Sequence, residues 1–179
     1  LPLPPLPLGY HGRYPSLARS SDGQVAVAGY NQTYGDLMVG VLDGSMEVEW
    51  QFVDGVPESG DIEGNLDGPR GGISDDGDDV GQHTALVYDD AGNLHVFYRD
   101  AENNALKYGR GQGKGGSEFG FSLVTLDAEG DTGYWTQALF TEGQIHVVYQ
   151  VNNLEAENNA GISQIRHITF DPTQDAETV

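Results

Sequence analysis

The stretch Gly12–Asn31 (GRYPSLARSSDGQVAVAGYN) lies without a gap on Gly81–Asp100 (GQHTALVYDDAGNLHVFYRD), an offset of 69 residues that sets Gly12 on Gly81, Leu17 on Leu86 and Gly23 on Gly92. The match runs on to Asp36–Leu37 and Ala105–Leu106. A third copy, Gly133–Gln150, fits once its turn is shortened by one residue, which sets Gly143 on Gly92, Ile145 on Leu94, His146 on His95, Val147 on Val96 and Tyr149 on Tyr98. Self-similarity at a nearly fixed spacing constrains a fold more than any composition, because each copy must be one structural unit that buries its apolar face against its neighbours.

Within each copy the apolar period is two: Leu94, Val96 and Tyr98 share a face, as do Ile145, Val147 and Tyr149, or Val25 and Val27. That period belongs to strands. The turns Ser21–Gly23, Asp90–Gly92 and Thr141–Gly143 each end in glycine, which takes the positive φ of a short bulged hairpin at little cost. A third strand follows in each copy (DLMVGVLD, ALKYGRG, SQIRHITFD) and a fourth in the first two (MEVEWQFVD, FSLVTLD). Four antiparallel strands per unit, repeated, predict an all-β fold built as a propeller segment of about three four-stranded blades. The alternative is a β-sandwich of about a dozen strands in one chain. The expected organisation is a Pro-rich linker or edge segment at 1–9, a propeller-like domain over 10–179 with repeats near 10–53, 80–127 and 131–170, and an acidic insertion at 54–79. Three blades do not close a ring, and the third copy stops after its third strand. We therefore expect another chain, or a second copy of this one, to complete the propeller. A chain that opens on Leu1 is expected to be a processed product or part of something longer.

The pattern of Gly, aromatic, Ser/Thr and Leu, then Asp-x-Gly, an apolar-His-Val-x-Tyr strand and a Leu-Lys-Tyr strand resembles the sialidase-like (BNR-type) β-propeller repeats of bacterial surface and secreted proteins. The resemblance covers residues 10 to 170 and implies a secreted, cell-surface or periplasmic setting. The sialidase Asp-box is missing, since SSDGQVAV has Val where that motif has Trp, so the resemblance implies architecture rather than glycosidase activity.

Charge narrows the function classes. The 28 acidic residues against 8 basic give a formal charge of −20, which repels a nucleic acid over most of the surface. Without cysteine there is neither a disulfide framework nor a thiolate zinc site. No stretch approaches the roughly 20 apolar residues of a membrane-spanning helix. The insertion concentrates nine carboxylates among seven glycines. Asp61, Glu63, Asn65 and Asp67 alternate as calcium ligands do, and Asp75, Asp76, Asp78 and Asp79 form a second cluster, so calcium is the expected cation. The twelfth loop position counted from Asp61 is Gly72, which rules out an EF-hand, and a solvated acidic loop is the competing reading.

Two residues after each leading glycine stand Tyr14, His83 and Trp135, where the innermost strand begins. They should converge at one end of the central axis with Arg13, Gln82 and Tyr134 beside them. Such side chains either grip a sugar or an aromatic ligand or pack between blades. His95 and His146 recur at one position and are read as blade packing, while His11, His83 and His167 show no metal-ligand spacing. There is no Gly-x-Ser-x-Gly elbow, phosphate loop or His-Glu-x-x-His. The expected function is a non-catalytic scaffold or recognition module, with a carbohydrate-binding lectin and a sialidase-like glycoside hydrolase fragment as alternatives.

Overall fold

A computed structural model describes residues 9–42, 45, 47–56, 77–115, 118–152 and 162–173. These residues form eleven antiparallel strands in three sheets. The first sheet runs in the order β1 (Arg13–Arg19), β2 (Val25–Asn31), β3 (Asp36–Leu42), β4 (Val48–Asp54). The second repeats that order with β5 (Val80–Tyr88), β6 (Leu94–Asp100), β7 (Ala105–Gly115) and β8 (Glu118–Asp127). The third has β9 (Asp131–Thr141), β10 (Gln144–Asn152) and β11 (Ser163–Phe170). An all-β fold of consecutive meanders is what period-two patterning broken by glycine turns dictates. Residues 1–8 of the expected Pro-rich linker lie outside the described residues, as do residues 57–76 of the insertion.

The first strands of the three meanders, β1, β5 and β9, are neighbours in that order. The second sheet is therefore enclosed between the other two. Its Leu86, Tyr88, Leu94, Val96 and Tyr98 join Ala26, Ala28, Leu37, Val39 and Val41 of the first sheet in one core. Its opposite face sends Ala85, Val87, Phe97, Leu106 and Tyr108 into a second core with Ile145, Val147, Tyr149, Val151 and Phe170 of the third sheet. Every residue of β6 is buried as a result. Gly81 sets backbone of the second sheet against backbone of the first: a Cβ there would stand 2.7 Å from the Leu37 Cα, and its φ is +102°.

Polar groups join the sheets at their rims. Gln51 on β4 donates its amide to the Phe119 carbonyl (3.0 Å) and accepts the Phe119 N–H (2.9 Å), so one side chain pairs with both backbone groups of a β8 residue. Asp54, at the end of β4, accepts the Tyr98 hydroxyl at 2.6 Å and pairs with Lys107 at 2.5 Å. Asp127, at the end of β8, accepts the Tyr149 hydroxyl and the Arg166 guanidinium, each at 2.7 Å. Tyr98 aligns with Tyr149 in the sequence, and Lys107 stands where Arg166 does in the Leu-Lys-Tyr and Ile-Arg-His strands. Burial and the neighbouring carboxylate push both tyrosines upward, which keeps them protonated as donors.

Candidate functional site

Tyr14, His83 and Trp135 have φ of 50°, 53° and 51°, each two residues after a glycine in the same left-handed half of backbone space (Gly12 +93°, Gly81 +102°, Gly133 +85°). A non-glycine side chain in that region costs on the order of 1–2 kcal/mol, so three such residues at aligned positions mark one local device used three times. The device is a bulge at the start of the inner strand, where the register shifts between Arg13 and Ser16, between Gln82 and Ala85, and opposite Val148 and Gln150. The bulge brings His83 against Tyr14 and Trp135 against His83.

The three rings converge as the sequence predicts. Tyr14 and His83 lie 4.4 Å apart, His83 and Trp135 4.8 Å apart, and Tyr134 touches His83 from the side at 5.3 Å. Thr84 ties the row together by donating its hydroxyl to the Tyr14 carbonyl at 2.5 Å. His83 is enclosed, and burial, seconded by the Arg99 guanidinium, holds its imidazole below the usual range and therefore neutral. Trp135 ends the row at 67% exposure. Arg13 lies exposed with its guanidinium 5.5 Å from the Tyr14 ring, and Gln82 is half-buried.

Tyr134 belongs to a second constellation that the sequence did not suggest. Arg99, buried between the second and third sheets, donates to Asp131 at 2.6 Å, to Asn104 at 3.0 Å and to the Tyr134 hydroxyl at 3.1 Å, with its guanidinium 4.4 Å from the Tyr134 ring. Tyr30 makes the aligned contact one sheet earlier, donating its hydroxyl to Asp79 at 2.9 Å. Tyr30 aligns with Arg99, and Asp79 and Asp131 each stand two residues before a leading glycine. That shared placement is the signal which reveals the contact in the sequence.

Of the expected calcium ligands, Asp61, Glu63, Asn65, Asp67, Asp75 and Asp76 lie outside the described residues. Asp78 accepts the Asn103 side-chain amide at 3.2 Å, and Asp79 serves Tyr30. Among the described residues no group of three or more His, Asp or Glu side chains is arranged to hold a metal ion.

His95 and His146, aligned in the sequence, have different surroundings. His95 is fully buried, with Nδ1 2.7 Å from the Tyr108 hydroxyl and Nε2 3.2 Å from Asp89. Burial pushes His95 down despite the opposing pull of Asp89, so the ring is neutral; the carboxylate can only accept, so Nε2 carries the proton and Nδ1 accepts from Tyr108. Burial would raise Asp89, but hydrogen bonds from Asn93 and His95 outweigh it and hold the carboxyl low. His146 instead stacks on His167 with ring centroids 5.3 Å apart, on a sheet face open to solvent. That face also carries Leu139 at 60%, Val148 at 39% and Ile165 at 81% exposure. No protein-family model and no curated protein matches this chain.

Proposed function

We propose that the chain is a non-catalytic scaffold and recognition module in which the three sheets act as successive propeller blades, presenting one unfilled blade face to another folded sheet. The observation that carries this reading is the reuse of one set of parts at both junctions: Asp54 with Tyr98 and Lys107, then Asp127 with Tyr149 and Arg166. A sandwich has no reason to repeat a rim contact at equivalent places of successive sheets, whereas a row of equivalent sheets does. The aromatic row supports the structural role too, because its rings rest on one another at 4.4 and 4.8 Å instead of standing apart around an opening. The reading keeps the expectation of a secreted or surface setting, with calcium as a stabiliser of the acidic insertion; a melting temperature unchanged by chelator discards the cation.

A lectin is the second reading, favoured by the exposed indole of Trp135 at the end of the aromatic row, edge-on to His83, the kind of surface on which a sugar ring stacks. A glycan array and a panel of fluorogenic glycosides separate the alternatives. The scaffold reading expects neither binding nor turnover; binding abolished by Trp135→Ala establishes the lectin, and turnover establishes an enzyme.

A further inference from the structure

We propose that the open face of the third sheet docks, head to tail, on the outward face of the first sheet of a second copy of this chain, and that two copies close into a pair through two such junctions. This rests on the blade reading above. The two junctions inside the chain are each made of unlike faces. The first sheet contributes Ala26, Ala28, Leu37 and Val39 to its junction, and the second sheet contributes His95, Phe97, Leu106 and Tyr108 from the aligned positions to the next. In the third sheet those positions are His146, half-buried, and Val148, Ile165 and His167, all exposed.

The reciprocal face also has an unfilled example. Leu86, Leu94 and Val96 of the second sheet pack on the first, and Ala138, Ile145 and Val147 of the third pack on the second. The aligned residues of the first sheet are Leu17, 67% exposed, with Val25 and Val27 half-buried. The chain thus leaves one face of each kind at its opposite ends, and a second copy supplies the complement of both.

Three details fit this occupant over an unrelated sheet. Gln150 stands where Tyr30 and Arg99 reach the acid that precedes the next sheet's glycine, and in the first sheet that acid's place is taken by Tyr10, 82% exposed, whose phenol a glutamine can pair with. The first sheet has Gly29 and Met38 where the other two have the tyrosine and the cation that hold an acid-tipped fourth strand, and the third sheet's described strands number three. The side chains on the open face from β9, β10 and β11 include neither Asp nor Glu, although the whole chain carries a charge of −20. Two such chains repel elsewhere on their surfaces, so added salt strengthens the pair.

Sedimentation of the native chain tests this, together with Leu17→Asp and Ile165→Asp. The native chain is expected at twice its 19.2 kDa mass, and more completely so at high salt. Each variant breaks both junctions of the pair, so each should dissociate at least 100-fold more readily. An equimolar mixture of the two variants retains one intact junction and should partly restore the pair. Both positions are exposed within the chain, so unchanged thermal unfolding of the dilute variants separates lost docking from lost folding. A native chain that stays single up to its solubility limit overturns the proposal, as does an open series of larger species. Leu17→Asp behaving as native while Ile165→Asp is single also overturns it, since the contact would then be like face on like face. The scaffold reading survives these outcomes and falls only to sugar binding or turnover.

Discussion

β6 and β10 carry closely similar sequences, LHVFYRD and IHVVYQV, yet every residue of β6 is buried whereas β10 alternates between buried and exposed. The second sheet is packed on both faces, the third on one. Burial in this molecule is thus a property of position in the row rather than of strand sequence, and the third sheet carries apolar side chains on a face to which nothing among the described residues is fitted.

The sharpest way to break that comparison is to truncate aligned residues. Phe97 is fully buried, stacked at 5.0 Å on Tyr108 and edge-on to Phe170, and Phe97→Ala should cost about 3–5 kcal/mol in urea unfolding. Val148→Ala, at its exposed counterpart, should cost less than about 1 kcal/mol in the dilute single chain. Equal losses would mean that the third sheet's outer face is already covered.

The leading glycines give a smaller contrast. A Cβ on Gly81 meets backbone of the first sheet at 2.7 Å, whereas one on Gly133 meets Arg99 at 3.1 Å. Both also pay for a left-handed φ, so Gly81→Ala should destabilise by roughly 3 kcal/mol and Gly133→Ala by roughly 1–2 kcal/mol. Equal melting temperatures for the two variants would contradict the tighter fit of the first and second sheets.

A further contrast lies in acid sensitivity. The folded state holds His95 and His83 below the ordinary imidazole value of 6.5, so the unfolded chain binds their protons first. Their stabilising contribution is complete above about pH 6.5 and declines as the pH falls toward the lower folded values, by up to about 1.4 kcal/mol per pH unit for each group. Unfolding measured between pH 6.5 and 4.5 should therefore show a slope that His95→Gln reduces. A slope unchanged in that variant would mean that the buried imidazole is not held neutral.

The repeat made much of this legible. The glycine turns, the inner-strand aromatics and all eleven strands follow from period and punctuation, because backbone conformation answers to local sequence. The convergence of Tyr14, His83 and Trp135 followed from their common offset after glycine. The contacts of Asp54 and Asp127 did not, since with 28 acids in the chain no single carboxylate stands out until strands distant in sequence are brought side by side. The stacking of His146 on His167 was hidden for a related reason: it depends on the register of β10 against β11, which sets Val148 opposite His167, and no spacing rule encodes it.

The Gln51 amide, paired with both backbone groups of Phe119, bears on how the molecule avoids sticking to itself indiscriminately. The outer edge of a sheet is a template on which any extended peptide can add, and a side chain that occupies one rung of that template interrupts it. β8 is blunted in this way near its start, and an invading strand would have to displace a bidentate contact before it could lengthen the sheet there.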